Sequence, residues 1–145
     1  MKKLMERTEK QIILPNAVAE VPRLASFVDE VCEDAGLGMG AAMQVNLAVE
    51  EAVVNVMNYA YPKGTKGTVE IAAVVDDCSL VFVVTDSGTP FDPTAKGEAD
   101  TTLNAEERPI GGLGIHLVRQ IMDGLEYERT TDGCNVLTMR KNLSH

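Results

Sequence analysis

A chain of 145 residues, 45% of them hydrophobic, is sized for one domain around one core. Its formal net charge of −9 opposes a nucleic-acid backbone, so direct DNA or RNA binding is disfavoured; an anionic nucleotide would need a cation and oriented backbone N–H groups to reverse the local potential. No stretch approaches the roughly 20 apolar residues of a membrane span, the start MKKLMERTEK has no apolar run behind its basic residues, Cys32, Cys78 and Cys134 form no Cys-x-x-Cys pair, and His116 and His145 are too few for a His-based metal centre, so a soluble cytoplasmic protein without membrane contact, disulfide framework or zinc site is expected.

Residues 10 to 14 (KQIIL) read as a short strand. Residues 20 to 35 then repeat Val21, Leu24, Phe27 and Val31 at helical spacing, with Pro22 suited to the first turn and Gly36 to the stop. A second helix is predicted from about 39 to 59, broken by Pro62 and Gly64. TVEIAAVV (68 to 75) and SLVFVVT (79 to 85) read as an antiparallel hairpin through Asp76-Asp77-Cys78. From Asp86 to Gly114 the composition turns to Gly, Pro, Thr and Asp, the mark of a functional irregular segment such as a lid. A third helix, about 113 to 122, precedes YERTT and NVLTMRK, joined through Asp132-Gly133. The order strand, helix, helix, two strands, helix, two strands predicts an α/β (α+β) two-layer sandwich. Its sheet is expected to be mixed, mainly antiparallel, and covered on one face by helices.

The second helix carries a polar seam. At about 100° per residue, Gln44, Glu51, Asn55 and Asn58 fall within roughly 60° of one another, and Ala42, Val45, Val49, Val53, Val56 and Ala60 cover the other side. An ordinary solvent face would explain such a seam, but solvent faces favour Lys, Arg and Glu, and residues 51 to 60 contain no basic side chain. Glu50 lies about 100° around the helix from Glu51.

DSGTPFDP (86 to 93) follows a very apolar strand. Asp86 can accept a hydrogen bond from an exocyclic amine, and Gly88 lets a planar ring approach the backbone, although the same residues also make a strand-ending turn. GGLGIHLVRQIMD (111 to 123) runs clustered glycines into an amphipathic helix, whose N-terminal N–H groups suit a phosphate chain. It is neither a P-loop nor a strand-linked dinucleotide fingerprint.

Taken in order, Glu-x-x-x-Asn on a helix, strand-Asp-x-Gly, and Gly-x-Gly at a helix start resemble the ATPase superfamily of gyrase, histidine kinases and MutL, with its Bergerat-type fold. EEAVVNVMNYAYP, VTDSGTPFDP and ERPIGGLGIHLVRQIMDGLEYE look most like the bacterial anti-sigma-factor serine/threonine kinases, over nearly the whole chain. The resemblance implies one ATP-binding domain over residues 1 to 145, with a lid at about 94 to 110 and Mg²⁺ and ATP as cofactors. It matches Asn55 to the magnesium ligand and Glu51 to the general base. Asp86 matches the adenine-amine acceptor, Gly88 the glycine beside the ring, and Gly112, Leu113 and Gly114 the phosphate-binding run. Arg108 would be a weaker phosphate contact.

Pro90 stands where the wider superfamily has a second glycine, and Tyr59 where many relatives carry His. The implied function is sequestration of a sigma factor and serine phosphorylation of a small antagonist protein, by a chain that works as a homodimer. The alternatives are a nucleotide-dependent binding module without phosphotransfer, or a detached ATP-binding domain of a histidine-kinase-like system.

Overall fold

The computed structural model describes residues 7–62, 64–95 and 112–143. In chain order the elements are β1 (Thr8–Pro15), α1 (Val21–Asp34), α2 (Met39–Tyr59), β2 (Thr68–Val75), β3 (Ser79–Asp86), α3 (Gly112–Ile121), β4 (Gly124–Arg129) and β5 (Asn135–Asn142). Short 3₁₀ turns occupy Val18–Glu20 and Pro93–Ala95. The five strands form one sheet in the order β1-β2-β3-β5-β4.

All four strand pairings are antiparallel, so the sheet expected to be mixed and mainly antiparallel is antiparallel throughout the described residues. The connection through α3 does bring β4 back parallel to β3, as a helical crossover should. The β4–β5 hairpin then inserts β5 between them, so the parallel relation is never a hydrogen-bonded neighbour. That hairpin closes over Thr130 to Cys134, with Thr130 N–H bonding Cys134 O at 2.8 Å and Gly133 at φ 88°, a longer turn than a two-residue loop.

Burial follows the sequence periods. On β2 the inward row is Val69, Ile71, Ala73 and Val75; on β3 it is Leu80, Phe82, Val84 and Asp86; on β5 it is Asn135, Leu137 and Met139. Alternation on a pleated strand puts these residues on one face, against the helices. Leu24, Phe27, Val28 and Val31 of α1, Val45, Val49, Val53 and Val56 of α2, and Ile115 and Val118 of α3 complete the core. α2 lies between α1 and α3 and touches both. α1 stops where expected: Gly36 takes φ 73°, and Leu37 N–H reaches back to Cys32 O at 3.1 Å.

Candidate functional site

The period-two row of β3 forces its last residue, a carboxylate, into the core face. Asp86 is 2% exposed. Its Oδ1 accepts from Gly88 N–H at 2.8 Å and from Asn135 Nδ2 at 2.9 Å. Its Oδ2 is buried and has no hydrogen-bond partner among the described residues. Burial pushes the carboxyl above its ordinary range, opposed by the Asn135 and Gly88 donors and by the Arg129 guanidinium. An orphaned buried acceptor of this kind is costly in a folded protein and is the atom that an exocyclic amine would satisfy. The site therefore fits an adenine base at Asp86.

Asn135 is the residue the motif reading missed. It starts β5 directly opposite Asp86 in the strand register and is 3% exposed. Its Nδ2 donates to Asp86 Oδ1 and to Thr89 O (2.8 Å), while its Oδ1 accepts from Phe91 N–H (3.2 Å) and from the Tyr127 hydroxyl (2.5 Å). One amide thus fixes the aspartate, the following loop and the neighbouring strand. The alternation in NVLTM carried the signal, because Asn135 shares the inward row of Leu137 and Met139.

Packing alone requires a glycine at 88. A Cβ there would lie 2.2 Å from the carbonyl oxygen of Ala60, the residue that ends α2. The same carbonyl accepts from Thr89 N–H at 2.6 Å and from Thr89 Oγ1 at 3.0 Å. Tyr61 adds a second tie: its hydroxyl donates to Thr68 O at 2.7 Å and accepts from Ser87 N–H at 3.1 Å. Phe91 packs on Tyr59 with ring centroids 5.6 Å apart, so Tyr59 supports the loop. The segment after Asp86 is thereby clamped to the C-terminal turn of α2.

The polar seam on α2 divides. Gln44 and Asn58 are exposed and Glu51 is half-buried, but Asn55 is 5% exposed at the inner edge of the seam. Asn55 Nδ2 donates to Glu51 O at 2.8 Å, which fixes the rotation of the amide one turn above the Glu51 backbone. A cation would meet the amide oxygen, the lone-pair donor of that group. Among the described residues no group of three or more His, Cys, Asp or Glu could hold a metal, so a magnesium ion at Asn55 would draw its remaining ligands from phosphate oxygens and water.

α3 begins at Gly112, so Gly112, Leu113 and Gly114 form its first turn, where free N–H groups collect. α3 also packs on α2, the helix of Glu51 and Asn55. Arg119 of α3 donates to Thr94 O, tying the helix to the 3₁₀ turn after Asp92. Arg108, Gly111 and residues 96 to 110 of the expected lid lie outside the described residues.

Residues 14–141 match the histidine kinase-like ATPase domain model. The serine-protein kinase RsbW of Halalkalibacterium halodurans is 33% identical over 68% of this chain and 61% of its own length. RsbW of Listeria monocytogenes is 29% identical over 66% of this chain and 64% of its own. The serine/threonine-protein kinase BtrW of Bordetella bronchiseptica is 26% identical, over 66% of each. The aligned part thus spans somewhat under two thirds of the two RsbW proteins. A chain in the crystal structure of the SiaB–SiaC complex from Pseudomonas aeruginosa shares the fold, with TM-score 0.54 and 16% identity over 92% of this chain and 89% of that one. The matched span runs from the last two residues of β1 to the penultimate residue of β5 and includes every candidate residue, and by that match the chain belongs to the histidine kinase-like ATPase domain family.

Proposed function

We propose that this chain is an ATP-dependent serine/threonine protein kinase of the anti-sigma-factor type, which binds a sigma factor in one state and phosphorylates an antagonist protein on serine in another. The observation that carries the reading is the buried Oδ2 of Asp86, which has no partner among the described residues, on a carboxylate whose other oxygen is held by Asn135 and Gly88 at the end of an apolar strand. The kinase names of the relatives support the choice of reaction within the family.

When bound, ATP and its magnesium ion supply the phosphoryl group and the neutralising charge. The chain's own residues have four roles. Asp86 accepts from the adenine amine and sets the base's orientation. Asn55 offers its amide oxygen to the magnesium. The first turn of α3, at Gly112 to Gly114, directs N–H groups at the phosphates. Glu51, one turn before Asn55 on the half-exposed side of α2, takes the proton from the acceptor hydroxyl. The direct test is incubation with labelled ATP and purified candidate antagonist proteins, followed by mapping of the modified residue. Phosphoserine on one antagonist, lost in Glu51→Gln, is the expected result; tight Mg-ATP binding with no transfer to any antagonist would favour a nucleotide-dependent binding module.

A further inference from the structure

No candidate ATP-binding residue lies on β4, yet two side chains of this edge strand reach the groups that hold Asp86. Tyr127 and Arg129 are two residues apart, so they project from one face of the strand. In the register Arg129 lies opposite Asn135, and Asn135 opposite Asp86, which sets the three in one rung across β4, β5 and β3. The two donors to Asp86 Oδ1 are Asn135 Nδ2 and Gly88 N–H, and β4 braces both. The Tyr127 hydroxyl donates to Asn135 Oδ1, which also accepts from Phe91 N–H. The Nδ2 end of that amide serves Asp86 Oδ1 and Thr89 O, so a flipped amide would set oxygen against oxygen at two places. On the other side, Arg129 Nη1 donates to Gly88 O at 2.9 Å, while the N–H of the same peptide group, that of Thr89, donates to Ala60 O.

We propose that Tyr127 and Arg129 are positioning residues for base recognition, which act on Asp86 through Asn135 and Gly88 and so sharpen the preference for a 6-aminopurine. This rests on the adenine contact of the reading above. Oδ2, which has no partner among the described residues, faces one fixed point only while Oδ1 is held, because the carboxylate otherwise turns about its Cβ–Cγ bond. A hydrogen bond received at Asn135 Oδ1 polarises the amide and strengthens its N–H donation to Asp86. The bond from Arg129 fixes the peptide group that follows Gly88, and with it the direction of Gly88 N–H. The guanidinium also works on charge: burial raises the Asp86 carboxyl, and Asn135, Gly88 and Arg129 oppose that rise, which keeps the acceptor anionic.

The test compares ATP with purine riboside triphosphate, which carries hydrogen in place of the 6-amine and so makes no bond to Oδ2. Titration calorimetry of the full chain with magnesium present gives both affinities. Tyr127→Phe, which keeps the packed ring, and Arg129→Met should each weaken ATP binding by roughly 2- to 10-fold, the factor for one ordinary hydrogen bond, and leave the analogue within about twofold of the wild type. Arg129→Lys, which keeps the charge and a donor, should recover most of the loss. Equal losses for the two nucleotides would mean that the side chains only hold the fold, and would overturn the proposal. A wild-type preference for ATP that survives undiminished in both variants overturns the positioning role alone. A wild type that binds the two nucleotides equally overturns the adenine contact itself, and this role with it.

Discussion

Asp86→Asn separates the two things the buried carboxylate does. In the free protein Asp86 is 2% exposed, one oxygen has two donors and the other has none among the described residues. Asparagine keeps Oδ1 for Gly88 and Asn135 and replaces the orphaned, charged Oδ2 by a neutral NH₂. The folded carboxyl titrates above its ordinary value of 3.8 because burial disfavours the anion. A raised carboxylate pKa means that the native state binds more protons than the unfolded chain between the unfolded and folded values. Its contribution therefore favours folding at low pH and is lost as pH rises through that interval. At neutral pH the full desolvation cost of the anion is present in the wild type, and the amide removes it. The variant without ligand should be at least as stable as the wild type at pH 7 and should lack this acid-side component of the pH profile. Nucleotide binding should move the other way, because the amine loses a charged acceptor and meets a donor. A hydrogen bond to a charged group contributes about 1.5 to 3 kcal/mol, or roughly 10- to 150-fold in affinity. Thermal melts from pH 4 to 8 without ligand, with Mg-ATP titration calorimetry at pH 7, give both quantities. Unchanged ATP affinity would refute the adenine assignment, and a markedly lower Tm at pH 7 would refute the claim that the buried anion is a cost.

Other substitutions test the remaining contacts. Glu51→Gln should retain Mg-ATP affinity while phosphotransfer falls by roughly 10²- to 10⁴-fold, and Glu50→Gln, about 100° around α2, should change transfer little; single-turnover assays with labelled ATP compare them. Gly88→Ala places a methyl group 2.2 Å from Ala60 O and should cost about 1 to 3 kcal/mol by urea denaturation. Asn135→Ala strips partners from Asp86, Thr89, Phe91 and Tyr127 and should cost at least about 2 kcal/mol, with weaker ATP binding in the fraction that folds. Tyr61→Phe loses the hydroxyl between Ser87 N–H and Thr68 O and should lower stability by about 1 to 3 kcal/mol with little change in kcat.

The elements were legible wherever one period ran unbroken. Residues 39 to 59 form the helix that the apolar repeat implied, and the β2–β3 hairpin has the expected strands. β4 was harder to place: Gly124-Leu125-Glu126 belongs to the strand, but a leading glycine and a single apolar residue give no alternation to read. Asp86 could be found because a charged residue ends the inward row Leu80, Phe82, Val84. Asn135 could not be assigned without knowing that β5 lies beside β3, since sequence order alone makes β4 its only neighbour. The reason for Gly88 was likewise hidden, because the Ala60 carbonyl that excludes a side chain is 28 residues away and approaches only after α2 packs on the sheet. Met39 and Met43 share one helical row, but periodicity alone does not separate an outward apolar ridge from core, and only packing leaves them in solvent.

The carbonyl of Ala60 receives two bonds from Thr89 and lies against Gly88, while Ala60 N–H closes the last turn of α2 on Val56 O at 2.9 Å. The loop after Asp86 and the end of the helix bearing Glu51 and Asn55 are therefore joined through one carbonyl. A fluctuation that frees Thr89 must also uncap α2, so the amides of Thr89 and Ala60 should exchange hydrogen through a shared opening, with equal protection free energies and equal sensitivity to denaturant. Any hinge between the loop after Asp86 and α2 would have to lie outside this joint, so a ligand that stiffens one should stiffen the other.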